Sequence, residues 1–243
     1  LRENLEERGH TVDVQVWDDR DVRWSDYDLV LLRETWDYEK KYKTFLQWID
    51  HLDELPVRVM NPPNVLRWNA NKQYLKDLEN SGVPIPPSFF VPEGAPVPLE
   101  KVLDEKGWSE FVIKPLVGAG AFKLERFTLE ELPEAQEHLE NLAANRGAIV
   151  QKFLPEVEEE GEWSFLFTGG ELSHTVLKQP AEDEYRVQKA LGGTRHHREA
   201  DPSIARQAEE YAGTITQPFL YLRLDGIVSR GRLRVVEMEL IEP

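Results

Sequence analysis

The sequence predicts an α/β protein with a small parallel sheet near its start and antiparallel strands further along. Residues 1–61 alternate helical and strand patterns, which is the rhythm of a parallel sheet covered by helices. The prolines of Asn61–Asn64 interrupt that rhythm and predict a linker. Beyond them, the period-two segments Glu162–Phe167 and Glu171–Lys178 are joined by two glycines, which predicts a β-hairpin.

The elements of the first part follow from the spacing of apolar residues. Leu1–Gly9 has the pattern of the second half of a helix ending at a glycine, so we expect a further strand before Leu1. Thr11–Val16 alternates strictly and predicts a strand, whereas Tyr27–Leu32 is typical of a buried parallel strand. Tyr42–Leu52 has helical spacing, with one apolar side formed by Phe45, Trp48, Ile49 and Leu52.

The second part mixes helices and strands and shows no internal repeat. Helices are predicted at Asn71–Asn80, Leu129–Asn145 and Asp201–Ile215. Strands are predicted at Ser88–Val91, Phe111–Lys114 and Ala148–Phe153, in the glycine-linked hairpin, and in a second hairpin that closes the chain. Polar loops are predicted at Glu158–Glu160 and at His196–His197.

The composition excludes several classes of function. Of the 243 residues, 40% are hydrophobic and 30% charged, which is typical of a soluble globular protein. The net charge of −16 argues against a nucleic-acid partner. No apolar run is long enough for a membrane span, and no signal-peptide pattern is present, so we expect no membrane partner. The absence of cysteine rules out thiol chemistry and is compatible with the cytoplasm, the location we expect.

The closing hairpin carries the most informative pattern. Glu237 and Glu239 share one face of its second strand. If the loop has three residues centred on Gly231, Asp225 lies opposite Glu237 on that same face, and the three carboxylates predict a Mg²⁺ site. A two-residue loop would shift the register by one and send Asp225 to the other face. Taken alone, the alternation is more typical of a solvated sheet face.

A second group of residues is suited to phosphate binding. The strand Phe111–Lys114 delivers a lysine to the small-residue loop Gly118–Ala121, whose backbone N–H groups can approach phosphate oxygens closely. The loop matches neither a P-loop nor a dinucleotide fingerprint. Lys72, at the start of a predicted helix, is a further candidate cation. Taken alone, a lysine before a glycine loop is more often part of a turn, and a lysine like Lys72 is more often a surface residue.

Candidate substrate contacts lie elsewhere. Arg33 and Trp36 directly follow a predicted parallel strand, and ligands bind beyond the carboxyl ends of such strands. Arg33 could pair with a carboxylate and Trp36 could wall a pocket, or both could belong to an exposed loop. His174, in an alternating strand, is a candidate contact or a structural residue.

Taken together and in this order along the chain, these sequence features resemble those of the ATP-grasp superfamily. The resemblance implies that Lys72 and Lys114 contact ATP phosphates under a loop formed by Gly118, Ala119, Gly120 and Ala121. It implies that a hinge at Gln151, Lys152, Phe153 and Leu154 holds adenine, and that Glu162 contacts the nucleoside. It also implies that Asp225, Glu237 and Glu239 bind Mg²⁺, with Mn²⁺ as an alternative, and that Arg223 faces the transferred phosphate. Two departures are Glu239, where asparagine is commoner, and Gln151, where an acidic residue is frequent.

Within that superfamily the chain looks most similar to the cycloserine-forming ligase subgroup, near the glutathione synthetases and the ribosomal-protein glutamate ligases. The supporting strings include Leu32–Tyr38, Gly161–Ser164, Tyr185–Gln188 and Glu239–Pro243. The resemblance implies a Rossmann-like domain at 1–61, with its first strand missing, and an ATP-grasp domain at 62–243. Two α+β lobes, at about 84–154 and 155–243, would clamp the nucleotide.

The activity implied by the resemblance is ATP-dependent ligation. A carboxyl group of a small amino-acid-like substrate would become an acyl phosphate, with Arg223 and Lys114 stabilising the developing charge, and an amine or a nucleophile in the same molecule would displace phosphate. The acceptor would lie near Arg33, Trp36, His174, Lys178 and Arg186. Homodimers are common among relatives and fit this chain too. Three alternatives stay open: an ATP-binding protein without turnover, a small-molecule kinase on the same fold, and a plain α/β domain without a nucleotide site.

Overall fold

The computed structural model describes residues 1–182 and 184–242, which form three separate sheets. The strands in chain order are β1 (Leu29–Leu31), β2 (Arg58–Met60), β3 (Ser88–Val91), β4 (Glu110–Pro115), β5 (Glu125–Thr128), β6 (Ala148–Lys152), β7 (Glu162–Thr168), β8 (Glu171–Gln179), β9 (Thr194–His197), β10 (Tyr221–Ser229) and β11 (Arg232–Glu239). The helices are α1 (Arg2–Glu6), α2 (Tyr42–Glu54), α3 (Pro63–Asn69), α4 (Tyr74–Asn80), α5 (Leu99–Lys106), α6 (Leu132–Arg146), α7 (Glu156–Glu159) and α8 (Pro202–Ala212). None of these described helices combines the length and the apolar character that a bilayer span requires.

The first sheet contains β1 and β2, which pair in parallel as the alternation of elements predicts. Helix α2 packs its predicted apolar side into a core rich in aromatic rings, and Phe45, Ile49 and Leu52 are fully buried there. The predicted strand Thr11–Val16 is wrong, because this segment pairs with no strand among the described residues. Its apolar residues Val14 and Val16 are 77% and 62% exposed, so the alternation covers no core.

Two other boundaries differ from the prediction. Helix α1 ends at Glu6, three residues before Gly9, which adopts the positive φ of 85° expected at a helix terminus. Helix α3 begins at Pro63, inside the segment predicted to be a linker. Asn61 in that segment is completely buried, so the segment is a packed joint.

The second sheet is antiparallel, with the order β3-β6-β4-β5. The antiparallel pairing brings the end of β4 and the start of β6 together, with Lys114 opposite Ile149. Helices α5 and α6 cover one face and bury Phe111, Ile113 and Leu139. The other face therefore remains available to the rest of the chain.

The third sheet has the order β11-β10-β7-β8-β9 and is also antiparallel. Two segments that were predicted to be loops form regular secondary structure. His196 and His197 lie in the exposed edge strand β9, and Glu158 lies in the short helix α7. Asp201 caps α8 as its sequence position suggests, accepting a hydrogen bond from the Ser203 N–H at 2.8 Å.

The closing hairpin reaches the predicted pairing by an unexpected route. Its loop has two residues, Arg230 and Gly231, because Ser229 pairs directly with Arg232. Both loop residues have positive φ, as a tight hairpin turn requires. A bulge between Asp225 and Gly226 leaves Val236 unpaired and shifts the register by one residue, so Asp225 lies opposite Glu237 after all.

Asn61 fastens the joint between the first and third sheets. Its amide donates to the carbonyls of Tyr221 and Leu240 at 2.9 and 2.8 Å, and its oxygen accepts from the Leu220 N–H at 2.6 Å. These three backbone groups thus depend on one side chain for their hydrogen bonds.

Replacing Asn61 with alanine should lower the free energy of unfolding by about 3 kcal/mol, because it leaves buried backbone groups unsatisfied. Urea denaturation of wild type and Asn61→Ala measures this difference. Asn80→Ala, at an exposed helix end, is the matched control and should change stability by less than about 0.5 kcal/mol. Equal losses in the two variants would contradict the role of Asn61.

Candidate functional site

A cleft of about 690 Å³ is lined by residues from both antiparallel sheets. The four-stranded sheet contributes β4, the loop after it and the end of β6, while the five-stranded sheet contributes β7, β8, β10 and β11. The residues that the sequence nominated for nucleotide and metal binding all line it: Lys72, Lys114, Gly118, Ala119, Gly120, Gln151, Lys152, Phe153, Leu154, Glu162, Arg223, Asp225, Glu237 and Glu239. The fold therefore gathers side chains that are far apart in sequence.

Asp225 is the centre of a buried ion-pair network. Its Oδ1 lies 2.9 Å from the Lys178 Nζ and also accepts a hydrogen bond from the Ser164 hydroxyl, while its Oδ2 lies 2.9 Å from the Arg223 Nε. Lys178 also contacts the Glu162 Oε1 at 3.0 Å. Strands β7, β8 and β10 each supply part of this network.

The network fixes the charge states of its members. Burial alone would raise the pKa of Asp225, but Arg223 and Lys178 outweigh it and hold that pKa well below the ordinary value. Burial lowers the pKa of Lys178, but Asp225 and Glu162 more than offset this, so the ammonium stays protonated. Burial raises the pKa of Glu162, which Lys178 only partly opposes. Asp225 is therefore a permanent anion flanked by permanent cations.

Lys72 joins the two sheets across the cleft. Its Nζ lies 2.8 Å from the Glu237 Oε1 and donates to the Gly118 carbonyl at 2.5 Å. Its own N–H donates to the Leu116 carbonyl at 2.8 Å, so the backbone is fixed as well as the side chain. Lys72 precedes α4 rather than lying on it, since that helix begins at Tyr74.

Lys114 is a buried cation without a carboxylate partner among the described residues. It is 6% exposed, and its Nζ donates to the Val236 carbonyl at 3.3 Å. Burial and the nearby Lys72 lower the pKa of Lys114 to about 8. An anionic ligand in the cleft would therefore stabilise its protonated form.

The small-residue loop after β4 has the backbone that its composition suggests. Gly120 and Ala121 both have positive φ, at 59° and 61°, and space is open around a Cβ built on Gly120. A Cβ on Gly118 would instead lie 2.9 Å from the Pro115 Cγ, so this position admits only glycine without movement. The loop lies beside both Lys72 and Lys114 in the cleft wall.

The segment Gln151–Leu154 is tied to its neighbours more tightly than its sequence suggests. The Gln151 amide donates to the Ser88 hydroxyl at 2.8 Å, and the backbone N–H groups of Lys152 and Phe153 donate to Pro87 and Glu110 carbonyls. The Phe153 ring lies 6.0 Å from the Tyr185 ring, edge to face. This segment thus forms a rigid apolar wall, with Gln151 directed to β3.

The three carboxylates predicted to bind a metal ion share one face of the sheet, but their side chains are not grouped around one point. Arg223 pairs with Glu239 and Asp225 with Glu237, so all four share a face. Among the described residues, however, no three Asp, Glu or His side chains are grouped to hold a metal ion. Asp225 and Glu237 are directed to cations, and the Glu239 Oε1 accepts from the N–H groups of Ile241 and Glu242 at 2.8 and 3.1 Å.

The donor chemistry still fits a hard cation, since all candidate ligands are carboxylate oxygens. Burial and the neighbouring Glu237 raise the pKa of Glu239. Burial, then Glu239 and Glu39, raise the pKa of Glu242 to about 8. Carboxyl groups are therefore crowded at this end of β11, and a divalent cation bound among them would favour their ionised forms.

The predicted substrate residues are divided between two places. Trp36, Lys178 and Arg186 line the cleft, with Arg186 paired to Glu184 at 2.8 Å. Arg33 and His174 do not line it. The Arg33 guanidinium lies 5.5 Å from the centre of the Tyr221 ring, and His174 is exposed with its ring 5.6 Å from that of His197.

Other polar and charged residues also line the cleft although the sequence analysis did not predict them as site residues, among them Glu39, Ser164, Arg195 and Glu242. Ser164 is the last residue of the string Gly161–Ser164 and shares a face of β7 with Glu162, which would have identified it. Glu39 and Arg195 lie in loop and edge segments whose direction no local pattern specifies.

The fold and the site together define an ATP-grasp ligase, and comparison with known proteins agrees. Residues 97–240 match the family model described as "Prokaryotic glutathione synthetase, ATP-grasp domain", so the chain belongs to this family. Residues 1–61 match the description "D-cycloserine synthetase DcsG, N-terminal domain". The members of this class form C–N bonds with ATP.

Individual relatives agree with this assignment. The cycloserine biosynthesis protein DcsG of Streptomyces lavendulae is 29% identical over 97% of this chain and 82% of that protein. A glutathione synthetase of Rhodopseudomonas palustris is 25% identical over 72% of this chain, but over only 54% of that enzyme. The crystal structure of D-cycloserine synthetase DcsG superposes with a TM-score of 0.88 at 27% identity, covering 100% of this chain and 85% of that one. A D-alanine–D-alanine ligase from Bacillus anthracis, with a TM-score of 0.64 at 14% identity over 99% of this chain and 72% of that one, shares the fold.

The Lys114 pKa of about 8 predicts how Mg-ATP binding depends on pH. Only the protonated ammonium attracts phosphate, so the Kd should rise about tenfold between pH 7 and pH 9 as free Lys114 loses its proton. Isothermal titration calorimetry across this range measures the effect.

The matched control is Lys114→Arg, whose guanidinium stays charged throughout that range. Its Kd should vary less with pH than that of the wild type, and any change that remains reflects other groups such as Glu242, with its pKa of about 8. Identical pH profiles for the two proteins would show that Lys114 does not contact the phosphates.

Proposed function

We propose that this chain uses ATP to activate a carboxyl group of a small amino-acid-like substrate and joins it to an amine. The observation that carries the proposal is the convergence of Lys72, Lys114, Lys178 and Arg223 on one cleft beside carboxylates. Lys114 has no carboxylate partner among the described residues, and the other three cations line the same cleft, so the cleft suits a triphosphate and an attacking carboxylate better than a neutral ligand. We also propose the division into residues 1–61 and 62–243, with lobes at about 84–154 and 155–243.

The nucleotide would be held by both antiparallel sheets. Lys72 and Lys114 would neutralise phosphate oxygens, with the backbone of Gly118–Gly120 close by. The apolar wall of Phe153 and Leu154 suits an adenine ring, and Glu162, which lines the same cleft, would contact the ribose hydroxyls. Asp225, Glu237 and Glu239 would hold Mg²⁺, which would supply charge neutralisation at the phosphates when bound.

The reaction would proceed in two displacements. A substrate carboxylate oxygen forms a bond to the γ-phosphorus while the bond from that phosphorus to the β-phosphate bridging oxygen breaks, and ADP leaves. The nitrogen of an amine then attacks the acyl carbon, the bond to the phosphate oxygen breaks, and phosphate and one proton leave. Arg223 and Lys114 stabilise the charge on the transferred group through positions fixed by their own contacts.

Replacing Lys114 with methionine should lower ADP release in the presence of an amino-acid pool on the order of 100-fold, since one fixed cation at the phosphates is lost. A coupled ADP assay measures the rate, and circular dichroism checks that the fold is retained. Lys76→Met, on an exposed face of α4, is the matched control and should leave the rate unchanged. Equal rates in both variants would remove Lys114 from the mechanism.

The same assay separates ligation from its rivals. A ligase releases ADP and phosphate in equal amounts and yields a condensed product, whereas a kinase yields a stable phosphorylated product and no free phosphate. A protein that binds Mg-ATP without releasing ADP under any of these conditions would be a nucleotide-binding protein only.

The paired carboxylates give a second test of the nucleotide site. The double variant Asp225→Asn and Glu237→Gln should raise the Kd for Mg-ATP at least about tenfold, because the Mg²⁺ that these carboxylates would hold loses two anionic oxygen ligands. Circular dichroism checks that the variant still folds, since both carboxylates also pair with buried cations. Glu79→Gln, exposed near the end of α4, is the control for calorimetry. Wild-type affinity in the double variant would mean that these carboxylates serve only the fold.

A further inference from the structure

Arg126 emerges from the face of the four-stranded sheet that forms the wall of the cleft. It lies opposite Val112 in the pairing of β5 with β4, and Val112 lines the cleft. Side chains opposite each other on paired strands share one face of a sheet. Glu110 precedes Val112 by two residues and therefore lies on that face as well. The backbone N–H of Phe153 donates to the Glu110 carbonyl at 3.1 Å, which places Phe153 beside them.

The Arg126 guanidinium covers one face of the Phe153 ring. Its central carbon lies 3.8 Å from the centre of that ring, which is a direct stacking contact. Phe153 lines the cleft, whereas Arg126 lies outside its lining, so the arginine supports the ring from outside the cleft. Phe153 is only 5% exposed, and the Tyr185 ring meets it edge to face at 6.0 Å. The Phe153 ring is therefore held by a cation and by a second aromatic ring.

All three nitrogens of the Arg126 guanidinium are bound to carboxylates. The Nε donates to the Glu110 Oε1 at 2.8 Å and the Nη2 donates to the same oxygen, while the Nη1 donates to the Glu158 Oε1 at 2.6 Å. A planar group bound on two sides has one orientation, so its plane above the Phe153 ring is fixed. The Arg126 side chain is 27% exposed, and ion pairs of this kind add little to stability. Their main effect is therefore on the position of the ring.

The same contacts join the two sheets that form the cleft. Arg126 lies on β5 of the four-stranded sheet. Glu158 lies on α7, which is fastened to β10 of the five-stranded sheet because the Ser229 hydroxyl donates to the Glu156 Oε1. The position of the Phe153 ring is thus set relative to both sheets.

We propose that Arg126 is a positioning residue for the base of the nucleotide, acting through the Phe153 ring. This role rests on the proposed function, in which Phe153 and Leu154 form the wall for adenine, and it adds a residue outside the cleft on which that wall depends. Without the guanidinium, one face of the ring loses its cover, and Glu158 no longer fixes the distance of the ring from the five-stranded sheet. The contact with adenine then weakens, while the phosphate contacts elsewhere in the cleft are retained.

Replacing Arg126 with glutamine should raise the Kd for Mg-ATP about tenfold and change the Kd for Mg-tripolyphosphate, which has no base, by less than about twofold. Isothermal titration calorimetry measures both values, and circular dichroism checks the fold. The matched control is Arg67→Gln, because Arg67 also pairs with two acids, Asp50 and Asp53, at a similar side-chain exposure of 32%, and lies outside the lining of the cleft. It should leave both Kd values unchanged.

A double-mutant cycle tests whether Arg126 acts through the ring. In a Phe153→Leu background, Arg126→Gln should change the Kd for Mg-ATP by less than about twofold, because the group that Arg126 positions is gone. An equal effect of Arg126→Gln in both backgrounds would show that Arg126 acts by another route and would overturn the role.

The outcomes separate this role from the proposed function. Wild-type protein that does not bind Mg-ATP contradicts both. Wild-type binding that Arg126→Gln leaves unchanged, or a loss of affinity that is equal for Mg-ATP and Mg-tripolyphosphate, overturns the role of Arg126 alone. If Arg126→Gln does not fold, Glu158→Gln decides: this exposed change releases one side of the guanidinium and should raise the Kd for Mg-ATP about threefold, whereas an unchanged Kd contradicts the role.

Discussion

The buried charge of Asp225 constrains the whole cleft, because its carboxylate is tolerable there only with cations on both oxygens. Lys178 comes from β8, Arg223 from β10 and the Ser164 hydroxyl from β7, so three strands must keep one register for the network to form. A slip of one residue in any of them would leave a buried charge unpaired and cost several kcal/mol. Chemistry and folding thus depend on the same side chains.

The sequence predicted most strands and the amphipathic helix α2, because apolar periodicity reports burial directly. Most of the predicted residues that line the cleft came instead from the resemblance to the ATP-grasp superfamily. Its failures have physical causes. Thr11–Val16 alternates correctly but finds no pairing strand among the described residues, and a strand needs a partner as well as a pattern. The hairpin shows the opposite case: its loop has two residues, which alone would send Asp225 to the other face, yet a bulge at Val236 pairs Asp225 with Glu237.

Side-chain direction was harder to predict than side-chain face. The register places Asp225, Glu237 and Glu239 together, but ion pairs and backbone hydrogen bonds direct each carboxylate elsewhere. Likewise, Arg33 and Trp36 lie on one loop, and only Trp36 reaches the cleft while Arg33 contacts Tyr221. These side-chain orientations are set by residues that are distant in sequence, so a local sequence pattern does not predict them.

The charged groups of the cleft are not all paired within the described part of the chain. Lys72 and Arg223 contact Glu237 and Asp225, whereas Lys114 has no carboxylate partner and one buried carboxyl oxygen of Glu39 has no hydrogen-bond partner there. A buried polar group without a partner costs free energy, so the protein without a ligand carries this cost. A ligand that pairs with these groups removes the cost, and its binding therefore also stabilises the fold.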